Sequence, residues 1–178
     1  MNVRNILKFT YSGMILTAIA MLSCMTPIHA DAANITNGGN KMQATEFTTI
    51  FPTGPKNDAY AQYFVGQSYL NMLSLEQVVI GNVTFEPGCR NNWHIHHADK
   101  GGGQILLVTG GRGYFQEWGK PARELHPGDV VNISAGVKHW HGAAPTSWFA
   151  HLAIEVPGEN SSNEWLEPVN DADYNMLK

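Results

Sequence analysis

The sequence predicts an all-β domain, a sandwich or barrel, from about residue 76 onward. Runs rich in β-branched and aromatic residues recur there, separated by Gly- or Pro-containing turns at the roughly eight- to twelve-residue spacing of such folds. No helical periodicity persists beyond a few residues before the C-terminal tail. The chain has 178 residues. Without residues 1–32, which are discussed below, its length is that of a single domain.

Seven strands are predicted, each bounded by turn residues. They cover residues 77–85, 92–97, 104–109, 113–118, 130–133, 138–143 and 147–155. The turns at 86–88, 100–103, 110–113, 119–121, 126–129 and 135–136 each contain Gly or Pro, which supplies the positive φ or the chain reversal that a turn requires. Beyond the last strand, Asp171 is predicted to cap a short C-terminal helix that runs to Leu177.

The first 32 residues are predicted to be a cleaved secretory signal. Arg4 and Lys8 form a positive n-region, an apolar stretch follows, and Ala30-Asp31-Ala32 fits a small-x-small cleavage site. The apolar stretch is shorter than the ~20 residues that a spanning helix needs. We therefore expect a secreted protein, periplasmic in a Gram-negative host, with no stable membrane insertion after cleavage. A lipoprotein anchored at Cys24 is the alternative.

The remaining chain divides into three predicted parts. Residues 33–72 form a flexible leader and an N-terminal arm, residues 73–156 form the barrel, and residues 157–178 form a C-terminal tail. Residues 60–72 are aromatic enough for an edge strand or for an arm that packs on a partner subunit. A homodimer contact is expected there.

Charge and cysteine content narrow the possible partners. The net charge is −4, and no basic cluster occurs, which argues against nucleic acid or an anionic membrane surface as a partner. Without the signal segment, Cys89 is the only cysteine, so an intramolecular disulfide cannot form. A thiol five residues before His94 could be a metal ligand, although an inert buried side chain is the commoner role.

The histidines are concentrated in one part of the chain, with seven of the eight between His94 and His151. Because successive side chains on a strand point to opposite faces, His94 shares a face with His96, and His139 shares one with His141. If both faces line one barrel interior, imidazoles converge, and imidazole is the commonest metal ligand in proteins. Histidines kept only for packing are the alternative, but converging imidazoles without a metal would repel one another on protonation.

The spacing of these residues resembles the two motifs of the cupin superfamily. Gly88, five residues, His94-Ile95-His96, and then Gln104, six residues and Gly111, resemble the first motif. Gly128, five residues, Ser134-Ala135-Gly136, two residues and His139 resemble the second. The resemblance implies a double-stranded β-helix, a small jelly-roll barrel. It also implies a metal bound by His94, His96, Gln104 and His139.

The chain departs from the cupin pattern at the fourth ligand. Gln104 stands where most cupins have Glu, and seven residues rather than three or four separate it from His96. The inserted residues 99–103 must loop out for Gln104 to return to the site; otherwise His97 or Asp99 takes the fourth place. In a strand, His97 would point to the face opposite that of His94 and His96, which disfavours it as a ligand. Three imidazoles and an amide leave the charge of a divalent ion uncompensated, which strengthens it as a Lewis acid.

A closer resemblance covers most of the chain after the signal. Residues 83–88, 124–131 and 138–145 are similar to small manganese cupins with hydroxynitrile lyase activity, and to cupins associated with carboxymuconolactone decarboxylase. Manganese is therefore the expected cofactor, while mixed nitrogen and oxygen ligation also suits Fe, Zn, Ni or Co. His141 is expected to act as a general base, with His151 as a second proton-transfer residue and Glu155 as a group that could orient an imidazole.

Together these features predict a secreted metal-dependent lyase or decarboxylase-like enzyme. Its substrate is expected to be a small molecule with a hydroxyl or carbonyl group, activated by the metal and by a histidine base. Two alternatives stay open. One is a non-enzymatic cupin that binds a metal or a small ligand, and the other is an iron-dependent dioxygenase, which would consume oxygen.

Overall fold

The computed structural model describes residues 47–178, so the predicted signal and most of the leader lie outside the described residues. A 3-10 helix, Asp58–Tyr63, opens the described regular structure. It is followed by β1 Phe64–Val65, β2 Ser68–Ser74, β3 Ile80–Phe85, β4 Arg90–Asn91, β5 His94–His97, β6 Lys100–Gly101, β7 Gln104–Gly111, β8 Gly113–Glu117, β9 Arg123–Leu125, β10 Val130–Ile133, β11 Lys138–Ala143, β12 Phe149–Glu155, β13 Gly158–Glu159, β14 Ser162–Trp165 and the helix α1 Asp171–Tyr174.

The strands form two antiparallel sheets around a common interior, which confirms the predicted all-β class. The first sheet has seven strands in the order β1-β4-β11-β5-β14, with β8 on the other edge of β11 and β9 beyond it. The second has five strands in the order β10-β7-β12-β3-β2, and β6 pairs with β13 in a separate two-stranded ribbon. The central position of β11 sets its histidines beside those of β5.

Apolar side chains from both sheets fill the interior between them. Phe85, Leu106 and Phe149 from the five-stranded sheet and Leu125 from the seven-stranded sheet are fully buried in one cluster. The inward histidines share this interior, because the ring of Phe85 lies 5.9 Å from that of His141 across the two sheets. The histidine site is therefore built on a packed core.

A second cluster covers the outer face of the seven-stranded sheet. Trp140 is 1% exposed and packs there with Trp93, Tyr114 and residues of the C-terminal tail, while its Nε1 donates to Gln116 Oε1 at 2.7 Å. Trp140 therefore faces away from its neighbours His139 and His141, as strand alternation requires.

The predicted strand bounds are correct for β10 and β11 and differ at several other strand ends. Strand β3 begins at Ile80 rather than at residue 77, because Gln77 adopts a φ of +52°, outside the extended region. Strand β5 begins at His94 rather than at residue 92. The amide of Asn92 donates to the carbonyl of Tyr63 at the end of the 3-10 helix, and that of Trp93 donates to the carbonyl of Glu167, instead of joining the ladder with β11.

Residues on either side of the predicted barrel region also contribute to the sheets. Strand β2 is an edge strand of the five-stranded sheet, and β14 extends the seven-stranded sheet beside β5. The C-terminal helix is shorter than predicted, since it ends at Tyr174. Its cap is Asn170 rather than Asp171, because Asn170 Oδ1 accepts from the Ala172 amide at 2.8 Å. Within residues 47–178, no helix has the length and hydrophobicity needed to span a membrane.

Candidate metal centre

Three imidazoles converge in the interior between the sheets. His139 lies directly opposite His94 in the antiparallel pair of β11 and β5, and His96 follows two residues later on the same face. One potential ligand atom of each residue lies within 4.8 Å of the others, and all three side chains are buried. Among residues 47–178, this is the only group of three or more His, Cys, Asp or Glu side chains with that geometry.

Backbone carbonyls orient two of these rings. Nδ1 of His94 lies 3.0 Å from the carbonyl oxygen of Asn92, and Nδ1 of His139 lies 2.9 Å from that of Val137. Because a carbonyl only accepts, Nδ1 must carry the proton in each ring, which leaves Nε2 with a free lone pair. Nε2 of His139 is buried without a hydrogen-bond partner.

A glycine loop brings Gln104 back to the same region. Gly101, Gly102 and Gly103 all have positive φ, and a Cβ on Gly103 would lie 2.2 Å from the carbonyl oxygen of Ile133. The insertion therefore loops out tightly, and Gln104 begins β7 opposite Glu155 of β12. Gln104 Nε2 donates to Glu155 Oε1 at 3.1 Å, while Gln104 Oε1 is buried without a partner.

The other residues considered as ligands do not join this group. His97 lies on the opposite face of β5 and is 43% exposed, with Nε2 2.8 Å from a carboxylate oxygen of Glu164. Asp99 accepts a hydrogen bond from Asn160 at the surface. Cys89 is fully buried, and burial raises the pKa of its thiol to about 12, so it stays protonated at neutral pH.

The residues present fit a divalent cation. Buried polar atoms without hydrogen-bond partners are rare in native structures, yet three side chains here carry them: His96 at both ring nitrogens, His139 at Nε2 and Gln104 at Oε1. All three can donate a lone pair to a metal. Burial lowers the pKa of His94 well below its usual value and lowers that of His139 to about 4. Both rings are therefore neutral at neutral pH, as metal ligation requires.

Two further histidines form a buried pair beside the group. His141 continues the inward face of β11, and its ring lies 5.4 Å from that of His94. His151 comes from β12 in the other sheet, and its Nε2 lies 3.1 Å from Nδ1 of His141. Burial lowers the pKa of His141 well below its usual value and that of His151 to about 4, so the pair is neutral at neutral pH.

Asn91 holds His141 in place. Its Oδ1 accepts from the His141 amide at 2.9 Å, which leaves its Nδ2 as a donor 3.0 Å from Nε2 of His141. With Nε2 accepting, the proton of the ring lies on Nδ1 and points at His151. Nothing in the sequence pattern indicated this role, because Asn91 lies outside the histidine runs and reaches His141 only through the pairing of β4 with β11.

Aromatic residues from outside the predicted barrel line the other side of His94. The ring of Trp165 stacks on that of His94, with centroids 4.7 Å apart. The ring of Tyr63 stacks in turn on that of Trp165, also at 4.7 Å. Trp165 lies opposite His94 in the pair of β14 and β5. Sequence analysis missed it because β14 is only four residues long and lacks the run of β-branched and aromatic residues that predicts a strand.

The architecture and the three-histidine group together define a double-stranded β-helix with a candidate metal centre. The profile of a family described as a cupin domain matches residues 81–152, which include β3 to most of β12. The chain is 50% identical over 93 residues to an (R)-mandelonitrile lyase from Granulicella tundricola, an alignment that covers 52% of this chain and 68% of that protein. It therefore belongs to the cupin superfamily.

A solved structure supports the same assignment. A cupin-like protein from Thermotoga maritima superposes on this chain with a TM-score of 0.63 and 40% sequence identity. The superposition covers 72% of this chain and 96% of that one, so it extends beyond the segment matched by the family profile.

Proposed function

We propose that this protein is a metal-dependent lyase that splits a small α-hydroxynitrile into a carbonyl compound and hydrogen cyanide. The observation that carries the proposal is a neutral, buried His141–His151 pair beside three convergent imidazoles whose lone pairs are free. The relative named (R)-mandelonitrile lyase supports this choice of reaction among those open to cupins.

His94, His96 and His139 through Nε2, and Gln104 through Oε1, are the proposed ligands of a divalent ion. Manganese is the proposed metal. A divalent ion bound there supplies Lewis-acid polarisation of a hydroxyl or carbonyl oxygen. The protein contributes a rigid frame for it, since the rings of His94 and His139 are anchored to backbone carbonyls.

His141 is the proposed base. It accepts the proton of the substrate hydroxyl at Nε2, where the substrate replaces the hydrogen bond from Asn91 Nδ2, while the C–O bond becomes a carbonyl and the bond to the nitrile carbon breaks. The electron pair of that bond leaves with cyanide, and the proton then passes from His141 to cyanide. The products are an aldehyde or ketone and hydrogen cyanide, so no oxidant or reductant is needed.

The surroundings of His141 suit both proton transfers. The neutral ring can accept a proton at neutral pH, and His151 Nε2, 3.1 Å away, can accept a hydrogen bond from the imidazolium that forms. Because burial lowers the pKa of His141, the protonated ring is also a ready acid toward cyanide.

The test combines metal analysis with turnover of mandelonitrile, followed by benzaldehyde absorbance. His139→Ala should lose both metal and activity. His141→Ala should keep its metal and lose about 10²- to 10⁴-fold in rate, the usual contribution of a general acid–base residue. His126→Ala is the matched control, because His126 is an exposed turn residue 60% open to solvent.

Each alternative has its own outcome. Metal-loaded protein that leaves every hydroxynitrile tested unchanged would contradict the lyase proposal and favour a metal- or ligand-binding cupin. Iron content with oxygen uptake would favour a dioxygenase. Full activity of His141→Ala would remove the proposed role of that residue.

We also propose secretion directed by residues 1–32 and a homodimer contact through residues 60–72. Exposed apolar side chains at the end of β2, Met72 at 41% and Leu73 at 36%, support a contact at this edge. N-terminal sequencing of the exported protein tests the first proposal, and light scattering of the purified protein tests the second.

A further inference from the structure

A carboxylate at the end of β12 bridges two of the proposed metal ligands. Glu155 Oε1 accepts from Gln104 Nε2 at 3.1 Å, and Glu155 Oε2 lies 3.0 Å from His96 Nδ1. We infer that Glu155 is a positioning residue, which holds both side chains in their ligand orientation and supplies the negative charge that the ligands themselves lack. This inference rests on the proposed metal centre.

The first consequence concerns the amide of Gln104. An amide offers an oxygen at one end and a nitrogen donor at the other, and it can ligate a cation only through the oxygen. Glu155 can accept but not donate when ionised, so it engages the nitrogen of Gln104. Gln104 Oε1 is thereby left buried and free of any partner, as a ligand oxygen must be before a cation arrives.

The same contact accounts for an amide at position 104. A Glu there would place a second carboxylate against Glu155, and two carboxylates sharing a site disfavour each other's ionisation. With Gln104 the two side chains are complementary instead of repulsive. A glutamate ligand would supply a negative charge directly to the metal. Here Glu155 supplies that charge from beside the ligands Gln104 and His96.

The second consequence concerns His96. The other two imidazoles of the group are anchored through Nδ1 to neutral backbone carbonyls, whereas His96 Nδ1 faces a carboxylate. The contact is one of charge rather than a formed hydrogen bond, since Nδ1 of His96 is buried without a hydrogen-bond partner, and a carboxylate beside Nδ1 favours the tautomer with its proton there. With the proton on Nδ1, the Nε2 of His96 keeps the lone pair that a metal ion needs.

Binding of Mn²⁺ to the full protein, followed by the electron paramagnetic resonance signal of the free ion, tests the inference. Outer-layer partners of this kind typically change metal affinity by about 10- to 100-fold, so Glu155→Gln should weaken Mn²⁺ binding by that factor. The matched control is Glu164→Gln. Glu164 forms a similar pair with His97, at 2.8 Å, and its side chain is 39% exposed against 36% for Glu155.

A charge-swap variant separates positioning from a general structural role. In Gln104→Glu combined with Glu155→Gln, the carboxylate and the amide exchange places, so the local charge and composition are unchanged. Affinity for Mn²⁺ should recover to within about tenfold of the wild type, within the range that such partners control. The visible absorption of bound Co²⁺ should differ between the swap and the wild type, because a carboxylate has replaced an amide among the ligands.

The outcomes distinguish this inference from the proposed function. Absence of Mn²⁺ binding by the wild-type protein would overturn both. Wild-type binding that Glu155→Gln leaves unchanged, or that Glu164→Gln weakens equally, would overturn the role of Glu155 alone. If Glu155→Gln does not fold, the swap decides, and a folded swap that binds Mn²⁺ more than tenfold more weakly than the wild type would overturn the inference.

Discussion

Acid should destabilise this protein through the buried histidine His151. The side chain is fully buried between Phe85, Phe149 and His141, and burial lowers its pKa from 6.5 to about 4. In the unfolded chain the same imidazole titrates near its ordinary value. At a pH between these two pKa values, the unfolded state binds more protons than the folded state. The free energy of unfolding must therefore fall as the pH falls.

The magnitude follows from the two pKa values. Above about pH 7.5 the group is almost entirely neutral in both states and has almost no effect on the free energy of unfolding. Stability is lost progressively as the pH falls from 6.5 to about 4, and the loss is about 2.5 kcal/mol at pH 4.5. That is a large share of the 5–15 kcal/mol that stabilises a typical domain.

Urea unfolding of chelator-treated protein at pH 7.5 and pH 4.5 measures the effect. His151→Gln retains a polar side chain but cannot titrate, so it should lose about 2.5 kcal/mol less than the wild type between the two pH values. His126→Gln removes an exposed histidine and should behave as the wild type. An equal loss of stability in His151→Gln and in the wild type would refute the reasoning.

Three further predictions concern the loop, the metal and the support of His141. Gly103→Ala should destabilise the protein by at least about 1–2 kcal/mol in urea, because φ is +92° and the new Cβ would meet the Ile133 carbonyl; an unchanged midpoint would contradict the geometry. Mn²⁺ at 100 times its Kd should raise the unfolding free energy by about 2.7 kcal/mol in the wild type, but not in His139→Ala, where a similar gain would point to another site. Asn91→Leu should lower the free energy of unfolding by at least about 2 kcal/mol, because the buried backbone amide and the ring nitrogen Nε2 of His141 both lose their hydrogen-bond partner. Stability equal to that of the wild type would contradict the supporting role of Asn91.

Local sequence patterns predicted the parts of this structure that depend on nearest neighbours along the chain. The alternation of side chains on a strand is a local property, so the inward faces of β5 and β11 could be assigned before any fold was known. The bounds of β10 and β11 were correct for the same reason, since each lies between clear turn residues. The resemblance to cupins then related the two histidine pairs to one site.

Only the tertiary structure decided which side chains support the histidines. Asn91 reaches His141, Glu155 reaches Gln104, and Trp165 reaches His94 through pairings between strands far apart in sequence. Cross-strand register depends on the packing of the whole barrel, and no local periodicity encodes it. The sequence by itself therefore determined the fold class and the candidate ligands, whereas the folded chain determined their orientation, their charge environment and their neighbours.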